Sequence, residues 1–125
     1  MNTFDIDGVI YMGKDHDGVY PGPNDLIITG RSIEEKPETI RMLQQKGINN
    51  KVYFNPLPFK QKTRESSGHH KADIISALIT LGCPIDIHFE DDPIQADIIK
   101  KVTSIHVVLL NHNLTEKENM RHGGY

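Results

Sequence analysis

Short apolar runs alternate with helix-period segments along this chain, and that alternation constrains the fold more than any other feature. The runs end at Phe4, cover Leu26-Ile27-Ile28 and Lys51–Phe54, alternate through Ile85, Ile87 and Phe89, and close with Ile105–Leu110. Between them lie three segments of helical period. One spans about Pro37–Lys46, with Pro37 suited to a first turn and Gly47 to the position just past the end. One spans about Lys71–Leu81, with Ile74, Ile75, Leu78 and Ile79 forming a broad stripe before Gly82 and Pro84. The last opens at Pro93 and carries Ile94, Ile98, Ile99 and Val102. Strands alternating with helices of this length predict an α/β fold: a three-layer, Rossmann-like parallel sheet covered on both faces. Asp86 and His88 fit this poorly, because a central parallel strand is usually apolar throughout.

Residues 9–20 hold two apolar pieces around Asp15-His16-Asp17-Gly18, which predicts a β-hairpin flap with its turn at Asp-Gly. Residues 55–70, with Pro56, Pro58, Ser66, Ser67 and Gly68, predict a polar connection. Residues 1–110 are expected to form one core, and 111–125 a polar tail in which Thr115–Glu118 can make a short helix. A length of 125 residues is enough for one core, and 37% hydrophobic with 25% charged residues argues against disorder. The net charge of -3 argues against a protein coated all over by nucleic acid, although a local basic patch remains open. No apolar run approaches the ~20 residues of a membrane helix, the acidic motif at Asp5 leaves no room for a signal peptide, and Cys83 has no partner for an internal disulfide. A cytoplasmic location is the expectation.

The predicted strand ends carry the chemistry. Asp5 and Asp7 flank Ile6 just before Gly8, Thr29-Gly30-Arg31 follows the second apolar run, and Glu90-Asp91-Asp92 follows the fourth. Lys71 is read as opening the second helix. In a parallel sheet these strand ends share one edge, where ligands of open α/β sheets bind.

Taken in order, Asp5-Ile6-Asp7-Gly8, Ile27-Ile28-Thr29-Gly30-Arg31, Lys71 and Phe89-Glu90-Asp91-Asp92 resemble the four motifs of the haloacid-dehalogenase-like (HAD) superfamily, whose commonest members are phosphatases. The resemblance runs from Thr3 to about Leu110. It implies that Asp5 is a nucleophile forming an aspartyl-phosphate, and that Asp7 is the acid and base, with its backbone carbonyl on the metal. It implies that Thr29 and the Gly30 amide bind a phosphoryl oxygen and that Lys71 neutralises charge. Mg²⁺ would be held by Asp5, Asp7 and either or both of Asp91 and Asp92, since sequence alone does not say which of Glu90, Asp91 and Asp92 faces the ion. Arg31 is expected to reach either substrate or a neighbouring carboxylate. The family's dehalogenase branch lacks the second acid, so Asp7 favours phosphoryl chemistry.

Neither the flap nor residues 55–70 has room for a cap domain, and a capless site in this family often takes large substrates. The run Thr63-Arg64 … His70-Lys71-Ala72-Asp73-Ile74-Ile75, followed by Glu90-Asp91-Asp92, looks like the 3′-phosphatase half of phage-type polynucleotide kinase–phosphatases. The kinase half has no counterpart, because no Gly-x-x-x-x-Gly-Lys-Ser/Thr loop is present. The expected partner is therefore a phosphorylated substrate such as a nucleic-acid 3′ end or a nucleotide. Two other readings compete: a catalytically silent HAD-like phosphate-binding domain, and a receiver-type phospho-acceptor. In receivers the acid pair precedes the acceptor's strand, unlike here. His106, His112 and His122 match no familiar metal spacing.

Overall fold

A computed structural model describes residues 1–13, 17–110 and 112. Among these residues are five strands, β1 (Asn2–Phe4), β2 (Leu26–Ser32), β3 (Val52–Asn55), β4 (Ile87–Glu90) and β5 (His106–Leu109). Three helices join them: α1 (Lys36–Gln45), α2 (Arg64–Thr80) and α3 (Pro93–Thr103), with short 3₁₀ turns at Ile33–Glu35 and Phe59–Gln61. The sheet order is β3-β2-β1-β4-β5 and every pairing is parallel.

Strand alternation sorts the apolar side chains into two layers. Ile28 and Val107 face Ala72, Ile75 and Ala96 of α2 and α3. Phe4 and Ile27 face the other way, towards Leu43 of α1 and towards Ile6, Val9 and Ile10. Paired in register, Phe4 and Phe89 stack on that second face with centroids 4.6 Å apart. This is the α/β, parallel, doubly covered sheet that the alternation predicts. Among the described residues no helix is long and apolar enough to cross a membrane.

Strand order fixes where a site can form. From β1 the chain goes to β2 and then to the β3 edge, whereas from β4 it goes to β5 at the opposite edge. The connections leaving β1 and β4 therefore diverge, and a crevice opens at their carboxyl ends.

Three sequence expectations need correction. Residues 64–70 are helical, so Lys71 lies within α2 rather than opening it. The start of α2 is set by a capping box: Thr63 Oγ1 accepts from the Ser66 amide at 3.1 Å, and Ser66 Oγ accepts from the Thr63 amide at 2.8 Å. Gly68, which reads as a breaker, is a packing residue. A Cβ there would meet Ile98 Cδ1 at 2.9 Å and Gln95 Cα at 3.2 Å, so glycine lets α2 close on α3.

The flap's turn is not at Asp17-Gly18. Tyr11 bridges antiparallel to Asp17 and the Val19 amide donates to the Val9 carbonyl, so Asp17 and Gly18 sit in the returning arm. Gly18 is needed there because a Cβ would lie 2.1 Å from the Val9 and Ile10 carbonyl oxygens. Lys14, Asp15 and His16, the Thr115–Glu118 segment and His122 lie outside the described residues.

Finally, β2 does not stop at Ile28 but runs to Ser32, with its pairing to β3 irregular between Ile28 and Ser32. The expected polar tension in β4 also resolves: Asp86 precedes the strand, and His88 is buried inside it with a polar partner on each ring nitrogen.

Candidate active site

Asp5 is the first residue past β1, and its amide still donates to the Phe89 carbonyl of β4 at 3.1 Å. That contact continues the ladder by one residue and points Asp5 at the crevice. The chain then folds back sharply, with the Gly8 amide donating to the Tyr11 carbonyl at 2.8 Å. Gly8 has φ +83°, and a Cβ on it would lie 2.0 Å from Asp91 Oδ2. Only glycine permits both this backbone and this close approach of a carboxylate.

Three carboxylates, Asp5, Glu90 and Asp91, converge there with an oxygen from each within 4.8 Å of the others, and all three are buried. Lys71 reaches them from the buried face of α2, its Nζ 3.1 Å from Asp5 Oδ2 and 2.7 Å from Glu90 Oε1. It also donates to Gln95 Oε1 of α3. The other Asp5 oxygen accepts from the Ile6 amide at 2.9 Å.

Glu90 differs from its neighbours. Its Oε1 meets Lys71 and, at 3.1 Å, His88 Nε2, and its Oε2 accepts from the amides of Asp91 and Asp92 at 3.2 Å each. A carboxylate has about four acceptor positions, and three N–H donors together with the His88 ring nitrogen crowd those of Glu90. The ligand set that fits a small hard cation is Asp5 and Asp91, with Glu90 as the brace beneath them.

Burial and the neighbouring Glu90 raise the Asp5 carboxyl well above its ordinary value, with Lys71 opposing. Burial likewise raises Glu90. Burial and the repulsion of Lys71 push the His88 imidazole down to about 3, so it is neutral at pH 7.

The remaining predicted residues lie around this centre in other pairings. Both oxygens of Asp7 accept from Arg31, from Nε and Nη2 at 2.8 Å each. Although burial opposes its charge, that clamp raises the Arg31 guanidinium above its usual range. Arg31 thus meets a neighbouring carboxylate, one of its two expected partners. Thr29 is buried, and its Oγ1 accepts from the Arg31 amide at 3.0 Å. The Gly30 carbonyl accepts from Lys62 Nζ at 3.1 Å, which makes Lys62 a second buried lysine, here against the end of β2.

Asp92 is not in the acid cluster. Arg64 Nε and Nη2 hold its two oxygens at 2.8 Å each, and Asp92 Oδ1 caps α3 through the Ile94 amide at 2.9 Å. Burial works against its charge, yet Arg64 holds this carboxyl below its ordinary range. Of the histidine trio, His106 is exposed at the start of β5 and His112 Nε2 meets the Gly8 carbonyl at 2.7 Å.

Sequence reasoning passed over Glu90 as the brace, along with His88, Thr3 and Gln95; Arg64, read with Lys60, Lys62, His69 and His70 as either a phosphate-steering patch or an ordinary solvated loop, instead pairs with Asp92. One signal was available for Glu90: residues 88 and 90 share a face of β4 by strand parity, and that face looks towards α2 and Lys71. The chain matches no family model, no curated protein and no solved structure.

Proposed function

We propose that this protein is a Mg²⁺-dependent phosphomonoesterase of the HAD-like type, with a capless core and the pairing of Val9 and Tyr11 with Val19 and Asp17 as part of its flap. One observation carries the reading: Asp5, Lys71 and Asp91, from three separate segments, meet at the diverging carboxyl ends of β1 and β4. Burial raises the Asp5 carboxyl most and the charge of Glu90 adds to it, and three carboxylates against one ammonium leave an excess of two negative charges when all are ionised. A divalent cation held by Asp5 and Asp91 relieves it. When bound, it supplies positive charge that offsets repulsion between an anionic nucleophile and an anionic substrate.

The chain's own residues do the rest. An Asp5 oxygen attacks phosphorus while the bond to the ester oxygen breaks, and Asp7 gives that oxygen its proton. Asp7 then takes a proton from water, which attacks the aspartyl-phosphate at phosphorus, releasing inorganic phosphate and restoring the Asp5 carboxylate. Lys71 orients Asp5 through Oδ2 and stabilises charge on the transferring group. Thr29, the Gly30 amide and Arg31 are the proposed phosphoryl contacts. For Arg31 this requires that it exchange Asp7 for substrate.

The test is a phosphate-release panel with Mg²⁺ and with chelator, comparing wild type and Asp5→Asn. It includes 3′-phosphorylated DNA and RNA ends, nucleoside monophosphates, sugar phosphates and an aryl phosphate, with nucleic-acid 3′ ends or nucleotides as the proposed substrates. Turnover that requires Mg²⁺ and Asp5 supports the reading, and turnover undiminished in Asp5→Asn removes it.

A second reading has its own support. Arg31 engages both oxygens of Asp7 at 2.8 Å. An acid held in this way suits a silent phosphate-binding domain, which predicts saturable phosphate-ester binding with no turnover of any substrate in the panel.

A further inference from the structure

We propose that His88 is a positioning residue for this site, holding the Glu90 carboxylate in the orientation that aligns both cation ligands. The inference rests on the phosphatase reading of the same centre and adds a residue that its motifs do not contain.

His88 lies inside β4 and is completely buried, as are Thr3 beside it in the register and Glu90 at the strand's end. Its Nδ1 meets Thr3 Oγ1 at 2.7 Å and its Nε2 meets Glu90 Oε1 at 3.1 Å. Glu90 Oε1 already accepts from Lys71 at 2.7 Å. With Glu90 ionised beside the Lys71 ammonium, Oε1 accepts a second time, which places the imidazole proton on Nε2 and leaves Nδ1 to accept from the Thr3 hydroxyl.

The consequence runs through Glu90 in two directions. Oε1 fixes Lys71, which fixes Asp5. Oε2 takes the amides of Asp91 and Asp92, which fixes the backbone that carries Asp91. Without the Nε2 donor, Oε1 keeps Lys71, but rotation of the carboxylate is less restrained. Partners of this outer kind, which orient ligands without touching the ion, typically change metal affinity or activity by about 10–100-fold when lost. A neutral polar ring buried between Ile87 and Phe89 of this strand then has a purpose: it adds a donor to the acid cluster without adding charge.

The experiment has two arms. In the first, long-range ¹H–¹⁵N spectra of the metal-free wild type report the His88 tautomer. The expected result is protonation at Nε2, and a ring protonated at Nδ1 overturns the proposal. In the second, Mn²⁺ binding is titrated by electron paramagnetic resonance for wild type, His88→Leu, His88→Gln and Thr3→Val. Far-ultraviolet circular dichroism checks that each variant is folded.

His88→Leu is expected to weaken Mn²⁺ binding by about 10–100-fold. His88→Gln, which retains an amide donor near the Nε2 position, recovers most of that loss, and Thr3→Val falls between. If His88→Leu does not fold, Thr3→Val and the tautomer spectrum decide. A folded His88→Leu with wild-type Mn²⁺ affinity, or equal impairment of the Leu and Gln variants, overturns the role of His88 and leaves the phosphatase reading standing. A wild type that binds no divalent cation removes the phosphatase reading and the inference with it.

Discussion

Replacing Lys71 with methionine keeps most of the side chain's bulk and removes an ammonium that lies 3.1 Å from Asp5 and 2.7 Å from Glu90. At an effective dielectric constant of 20, each contact carries roughly 5–6 kcal/mol of gross Coulomb energy. Much of that offsets the desolvation of three buried charges, so the net cost is the smaller cost of leaving buried carboxylates unpaired, about 3–5 kcal/mol. With a urea m-value near 2 kcal/mol/M, the midpoint falls by roughly 2 M at pH 7.

The pH dependence has a definite sign. Lys71 lowers the carboxyl values of Asp5 and Glu90, so in its absence both titrate still higher. The penalty is therefore full where both carboxyls are ionised and shrinks as pH falls through their raised values, because a protonated acid needs no cation. Urea melts of wild type and Lys71→Met at several pH values from 7 to 4, in chelator, measure this difference directly. A loss below about 1 kcal/mol at pH 7 would refute the reasoning, since it falls under the whole range for a broken buried pair. A penalty that does not change with pH would refute it as well.

Other consequences follow from single contacts. Gly8→Ala forces a Cβ onto Asp91 Oδ2 from a φ of +83°, so Asp91 must move and Mn²⁺ binding is expected to be lost; retained affinity would show that Asp91 is not a ligand. Gly68→Val crowds Ile98 and Gln95 at the α2–α3 contact and is expected to lower stability by about 1–3 kcal/mol, despite valine's better helix propensity, as read from urea midpoints. Asp7→Asn is expected to lower kcat by about 10²–10⁴-fold on a substrate with a poor leaving group, with a smaller effect on an aryl phosphate. His70 is pushed down to about 4 by burial and Lys71, and no hydrogen-bond partner meets its Nε2 among the described residues. As pH falls below about 6.5 the unfolded chain takes up this proton and the folded chain does not, so stability drops. After allowance for partial exposure, wild type loses roughly 1–2 kcal/mol more than His70→Gln between pH 7 and 4.

The sheet was legible because apolar residues dominate most of its strands and acids stand at or just past the ends of two of them, as at Phe4-Asp5 and Phe89-Glu90. A strand of three residues such as β1 still registers when its next residue carries the ladder onwards, as Asp5 does. The first turns of α2 were hidden because Ser66, Ser67 and Gly68 carry the composition of a loop, and the reason for a glycine lies on another helix. Lys71 stood out as a cation but was placed at a helix start, and its burial became visible only with the Ser67, Gly68, Lys71, Ala72, Ile75 face in view. The three consecutive acids could not be told apart by composition. The end of β4 and the turn after it give Glu90 to Lys71, Asp91 to Gly8 and Asp92 to Arg64, and all three partners are distant in sequence. The Arg31–Asp7 clamp bridges 24 positions and leaves no trace in local pattern.

The central claim is that Asp5 becomes covalently phosphorylated at a site requiring a divalent cation. Acid quenching of the protein during turnover with Mg²⁺ and a cleavable phosphomonoester, followed by peptide mass spectrometry, tests it most directly. A phosphoryl adduct on the peptide containing Asp5, missing in Asp5→Asn and in chelator, is the predicted result. Sustained phosphate release with the adduct on another residue, or with full turnover in Asp5→Asn, would contradict it.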